Sequence, residues 1–161
     1  DPTIFGQLWC EVSMSTLTST YALTAGTPII AGVSALNAGG YSTYSIDNTA
    51  YITAIREPLA APAASIASHT ETSITVQWTL IAATTASNGG SAVTDYVVEF
   101  SSDGATFGTP VTVNGINTLT YVDSPGTPGA TYYYRVKAVN AFGTSLVPSN
   151  VASALAAQVP D

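Results

Sequence analysis

At 161 residues and 16.4 kDa, the chain is long enough for one large or two small domains with a real core. Charged residues make up 8% of it, and ten acids face only Arg56, Arg135 and Lys137, leaving a net charge of −7. Three cations, two of them on one strand, cannot build a basic face, which excludes nucleic-acid backbones and anionic membrane surfaces as partners. Serine and threonine fill the gap at about a quarter of positions, so the surface is wetted by hydroxyls rather than by charge.

No apolar run reaches the ~18 residues a membrane span needs, and nothing resembles a signal peptide. The opening "DPTIFG" lacks an initiator Met, which implies a mature, processed or excerpted chain. Cys10 is the single cysteine, so no internal disulfide can form. It reads either as a small half-buried strand residue or, in oxidising surroundings, as a link between chains.

No stretch shows helical periodicity. Period-two alternation broken by Gly, Pro, Asn and Asp every eight to twelve residues predicts an all-β sandwich. "ALNAGGYS" at 35–42 returns as "AVNAFGTS" at 138–145, 103 positions later. Tyr41, Tyr44 and Tyr51 lie near this turn and the strand after it, and are candidates for an exposed row that stacks on sugars or on a neighbouring subunit. "REPLAAPAA" (56–64) reads as a semi-extended connector. His69, the only histidine, is expected in an exposed loop.

Further on, "TSITVQWTL" (72–80) puts Ile74, Val76, Trp78 and Leu80 on one face, and Tyr96, Val98 and Phe100 do the same in the next strand. "ASNGGS" (86–91) and "SSDGAT" (101–106) are Gly-bearing turns. In "TYYYRVKAVN" (131–140) the inward set is Tyr132, Tyr134, Val136 and Ala138, with Trp78, Tyr96, Tyr132 and Val136 the expected structural anchors.

These elements, in this order, resemble a fibronectin type III domain over residues 59–161. The carriers are Pro62, the "ITVQW" strand with Trp78, "NGGSAVTDYVVEFSSDG", and "YYYRVKAVNAFGTS" followed by "PSN". The resemblance implies an immunoglobulin-like sandwich. It also implies that Tyr132 is the tyrosine corner, its hydroxyl bonded to upstream backbone where the chain crosses between sheets.

An internal alignment then explains residues 1–58. "DPTIFG" lies over "DGATFG" (103–108) and "TLT" (16–18) over "TLT" (118–120), both at an offset of 102. "GVSALNAGGYS" (32–42) lies over "RVKAVNAFGTS" (135–145) at 103, and "REP" (56–58) over "QVP" (158–160) at 102, a single-residue slip in one turn. Residues 1–58 therefore read as the C-terminal half of a second fibronectin type III-like domain, without its first three strands. Ile29 stands at the tyrosine-corner position, so burial of Ile29, Val33 and Leu36 is expected to hold that crossover.

Half a sandwich lacks one wall of its core. Uncovering Trp9, Val12, Leu17, Ile29, Val33 and Ile52 would forfeit about 1.5–3 kcal/mol each, a sum that rivals the stability of a whole domain. Either the missing strands lie upstream in a longer array or another molecule supplies them. "TAYITAI" (49–55) and "VASALAA" (151–157) are flat, uncharged edges without the lysines that usually discourage pairing. Trp9, Cys10, Ile29, Val33, Tyr41, Tyr44 and Tyr51 are therefore the candidate interface.

Catalytic chemistry is not legible. One histidine without a partnered acid and nucleophile does not make a triad. One Cys, one His and the dispersed Asp95, Asp103 and Asp123 do not make a metal site, and Asp47 and Glu57 could meet a calcium ion only at a domain joint. "NAGG" and "SNGG" are β-turns rather than phosphate loops. No enzyme activity, cofactor or metal is expected.

The function expected is a structural and interaction module of an extracellular or cell-surface protein, part of a tandem array, fibre or layer. Its partners would be copies of itself, adjacent domains of the same polypeptide, or glycans. A spacer or carbohydrate-contacting accessory of a secreted polysaccharide-degrading enzyme, or a virion surface domain, are the other settings the resemblance allows.

Overall fold

The structure, a computed structural model, describes residues 10–157. The chain divides into two compact units, 1–56 and 57–161.

The second unit is a sandwich of three strands on four. One sheet has the order β3-β4-β7, from Ala64–His69, Ile74–Trp78 and Thr120–Asp123. The other has the order β6-β5-β8-β9, from Val111–Asn114, Val93–Ser101, Thr131–Asn140 and Ala152–Leu155. All pairings are antiparallel. Strand β8 alternates most strictly: Tyr132, Tyr134, Val136 and Ala138 are buried, and they meet Ile74, Val76 and Trp78 of β4 and Tyr96 and Val98 of β5 in one core. Trp78 and Tyr96 pack edge to face with ring centroids 5.4 Å apart, a geometry worth about 1 kcal/mol beyond burial.

Two side chains depart from the expected alternation, both at strand ends. Leu80 lies beyond the end of β4 and is 51% exposed, while Ile81 is buried in its place. Phe100 is 41% exposed, at the end of the β5–β8 ladder and outside the packed cluster. His69 is not a loop residue. It is the last residue of β3, half-buried, with Nδ1 3.2 Å from the Ala157 carbonyl oxygen.

The connector is likewise more ordered than its composition suggests. Pro58 and Pro62 are fully buried, and the Leu59 and Ala60 amides both donate to the Ser87 carbonyl at 2.9 and 3.0 Å. That carbonyl belongs to a single helical turn, α2 (Thr85–Asn88), closed by Gly89 in the left-handed region at φ 72°.

The first unit contains a helix that the sequence pattern did not suggest, α1 (Met14–Ser19). Its composition, MSTLTS, is poor in helix formers. Local hydroxyl bonding holds it: Ser13 Oγ caps the Thr16 amide at 3.1 Å, and the Thr18 and Ser19 hydroxyls donate to the Met14 and Ser15 carbonyls. Beyond it runs a two-stranded ribbon. Its tip is the hairpin β1 (Leu36–Asn37) and β2 (Gly40–Tyr41), and its base is a bridge between Pro28 and Thr53.

Candidate interaction surface

The ribbon of the first unit repeats the serine-clamped bonds of the β8 ribbon of the second. In the second unit the Ala138 amide donates to Ser145 Oγ at 3.2 Å, and the Ser145 amide returns a bond to the Ala138 carbonyl at 2.8 Å. Val136 and Ser149 make the same reciprocal pair at 2.9 and 2.8 Å. In the first unit Ala35 and Ser42 form this pair at 2.9 and 2.8 Å, and Val33 and Ser45 form it at 3.0 and 2.8 Å.

The two ends of the ribbon agree as well. At the tip, Asn37 Oδ1 accepts from the Gly39 amide at 2.8 Å, as Asn140 Oδ1 accepts from the Phe142 amide at 2.9 Å. At the base, Gly26 and Ala54 pair as Gly129 and Ala156 do. These contacts correct the alignment. The offset is 103 at the first serine, 104 at the second and 102 at the closing alanine, so the register between the two ribbons shifts more than once. The paired serines and the turn asparagine were not singled out in the sequence, although Ser42, Ser145, Asn37 and Asn140 stand in the repeated segments.

What differs is the cover. Val136 is 0% exposed beneath the opposite sheet, whereas its counterpart Val33 is 73% exposed. Leu36 is also exposed and Ile29 only half-buried, so the expected burial of Ile29, Val33 and Leu36 does not hold the crossover. The hydrogen bonds of the ribbon hold it instead. Tyr41, Tyr44, Tyr51, Ile46 and Ile52 are exposed, as is Cys10, which is free. Trp9 lies outside the described residues. An open apolar pocket of about 480 Å³ sits between α1 and the ribbon base, lined by Val12, Leu17, Tyr21, Pro28, Ile29 and Ile30.

In the second unit further side chains close the ribbon against the opposite sheet. Asn150 clamps β3 from the ribbon's second strand: its Oδ1 accepts from the Ala64 amide at 3.0 Å and its Nδ2 donates to the Ala64 carbonyl at 2.9 Å. Tyr132 Oη accepts from the Thr127 amide at 3.2 Å, the corner for which Ile29 has no equivalent atom. The buried Tyr134 hydroxyl donates to Asp123 Oδ2 at 2.8 Å; burial first, then the Asp123 carboxylate, pushes its pKa well above the ordinary tyrosine value.

Glu99 lies on the outer face of β5. It is nearly buried between Arg135, which it pairs with directly, and Lys137 Nζ at 3.2 Å, while the Arg135 guanidinium lies 3.9 Å over the Phe107 ring. Burial raises the Glu99 pKa, but the two cations outweigh it and hold it below its ordinary value. Asp103 closes its turn by accepting from the Thr106 and Ala105 amides, at 2.7 and 2.8 Å, and from the Ser101 hydroxyl, and these bonds hold its pKa far below the ordinary carboxylate range. Among the described residues no three His, Cys, Asp or Glu side chains converge as a metal site. No helix among them is long and apolar enough to cross a membrane.

A three-on-four antiparallel sandwich with a Trp in the second strand and a bonded tyrosine corner defines an immunoglobulin-like β domain. The fibronectin type III domain family model matches residues 60–154, and the chain belongs to that family. In solved structures it is similar to titin domains A168–A170 (24% identity, TM-score 0.54, covering 80% of this chain and 41% of that one). It is similar to the FN1–FN3 domains of chicken contactin (CNTN1), with 24% identity, TM-score 0.54 and coverage of 79% and 43%. The twitchin kinase region of C. elegans matches at 24% identity and TM-score 0.51, over 63% of this chain and 17% of that one. The chain thus spans less than half the length of each of these proteins. Fibronectin type III domains are typically non-catalytic modules.

Proposed function

We propose that this chain is a non-catalytic structural and interaction module of an extracellular or cell-surface protein. In this reading it forms links of a tandem array that contact adjacent domains or neighbouring copies. The observation that carries the reading is the serine-clamped ribbon, present twice in one chain at a spacing of 102 to 104 residues. Two features add support. Fibronectin type III domains are common in extracellular and cell-surface proteins such as contactin. Lys137 is the only lysine, so almost nothing of the usual charge guard against edge pairing is present.

Two measurements test it. An antibody raised to residues 57–161 is expected to label intact source cells, or the material they secrete, without permeabilisation. Labelling only after permeabilisation would contradict a surface role. Electron microscopy of the purified parent protein is expected to show a chain of regularly spaced domains, and a single compact particle would contradict the array.

A further inference from the structure

We propose that the first unit is an acceptor for three β-strands of the same polypeptide, lying N-terminal to the ribbon and equivalent to residues 64–101 of the complete copy. The proposal rests on the tandem reading above and adds the occupant, its order and its register.

Three separate contact points stand ready for it, each filled in the second unit. The first is the ribbon's free edge. In the second unit the amides of Val136 and Ala138 face the serines, so by antiparallel alternation those of Arg135 and Lys137 face β5, where they pair opposite Glu99 and Val97. Their counterparts are Gly32 and Ser34. Among the described residues no hydrogen bond ends on the backbone of either, although Ala31, Val33 and Ala35 between and beside them are all bonded.

The second point is Asn48, which stands where Asn150 does. Asn150 holds β3 through Ala64, whereas Asn48 folds back on its own ribbon, taking the Ala31 amide at 2.6 Å and giving to the Ile29 and Ala50 carbonyls.

The third is α1. Leu17–Tyr21 correspond to Leu119–Asp123, which include β7 and pair with β4: the Trp78 amide donates to the Leu119 carbonyl, and Ile74 to Gln77 face Asp123 to Thr120. With no β4 beside it, the same stretch satisfies its backbone as a Ser/Thr-rich helix. It is followed by Ala22 at φ 53°, an unfavourable conformation for any residue with a Cβ. The apolar pocket between α1 and the ribbon is then the space the second strand fills.

The order of the complete copy fixes the source, since β3, β4 and β5 all precede β8 in the chain. Charge refines it further. Glu99 is matched to Arg135 and Lys137, but Gly32 and Ser34 carry no charge, so the third donor strand has no need of an acid opposite them.

The test fuses residues 59–102 ahead of Asp1 through a flexible Gly/Ser linker and compares this extended protein with the 161-residue chain by NMR. A second fusion with the 59–102 segment scrambled serves as control. In the authentic fusion, residues 17–21 are expected to change from helical to extended Cα shifts, and amide exchange at Gly32 and Ser34 to slow by about 100-fold or more. The scrambled fusion is expected to leave both unchanged. Unaltered shifts and exchange in the authentic fusion would overturn the proposal. So would protection that appears in the 161-residue chain alone as its concentration rises, with a dimer in sedimentation, because a second copy would then be the occupant. Neither failure touches the surface labelling or the domain spacing, so the tandem reading is judged separately.

Discussion

Val33 and Val136 occupy the same place in the repeated ribbon, and truncating each to alanine measures what the missing wall is worth. Val136 is fully buried against the opposite sheet. Removing its two methyl groups costs about 0.8 kcal/mol for each in lost transfer energy, and the residual cavity brings the total to about 2–3 kcal/mol. For a domain of this size that lowers Tm by about 10 °C. Val33 makes the same serine-clamped backbone bonds but is 73% exposed, so Val33→Ala should fall within about 0.5 kcal/mol of wild type.

Urea unfolding is the assay. A Trp9→Phe background leaves Trp78 as the one indole reporting on the second unit, while the Tyr signal reports on both. Unfolding of the two units need not be a single step, so each transition is fitted separately. Equal destabilisation by the two substitutions would refute the reasoning, because it would mean that Val33 is covered in the isolated chain.

Other substitutions test the complete domain. Asn150→Ala removes both bonds to Ala64 and should cost about 1–3 kcal/mol, with β3 amides losing protection before those of β8; uniform loss across both sheets would contradict the clamp. Tyr132→Phe leaves the Thr127 amide without its acceptor and should cost about 1 kcal/mol in thermal unfolding. Ile29→Tyr in the first unit, which has no such bond to lose, should not destabilise.

The Glu99 carboxylate is held below its ordinary value of 4.5, so its contribution is complete above that pH and lost as pH falls through the lower folded value. Wild type should therefore lose about 1 kcal/mol more than Glu99→Gln on acidification below pH 4.5, the figure being small because Arg135 and Lys137 are partly solvated. Parallel stability curves for the two proteins would contradict a stabilising role for the Glu99 ion pairs with Arg135 and Lys137.

Much of this was legible in the sequence where alternation is enforced from both sides. Strand β8 sits between β5 and β9 and under the opposite sheet, so Tyr132 to Ala138 read off directly. Leu80 and Phe100 misled because a period-two pattern does not announce where the facing sheet stops. α1 was illegible for a related reason: MSTLTS has neither helical periodicity nor propensity, and its state depends on whether a strand lies beside it. The ribbon was visible as a repeat of letters. The serine clamps that make it a repeat of bonds were not, because serine is too abundant here to stand out. The cover over Ile29, Val33 and Leu36 was overestimated, since an apolar residue in a repeated pattern does not by itself bring a facing sheet: among the described residues Val33 and Leu36 are exposed and Ile29 is half-buried.

Hydrogen exchange at two pairs of amides reaches the centre of the account. In the 161-residue chain, Arg135 and Lys137 should exchange slowly, close to the rate of global opening of their domain, while Gly32 and Ser34 should exchange near the rate of an unstructured peptide. Matched, slow exchange at all four in a monomeric sample would show that the first ribbon has no open edge, and the reading of an unfinished sandwich would be wrong.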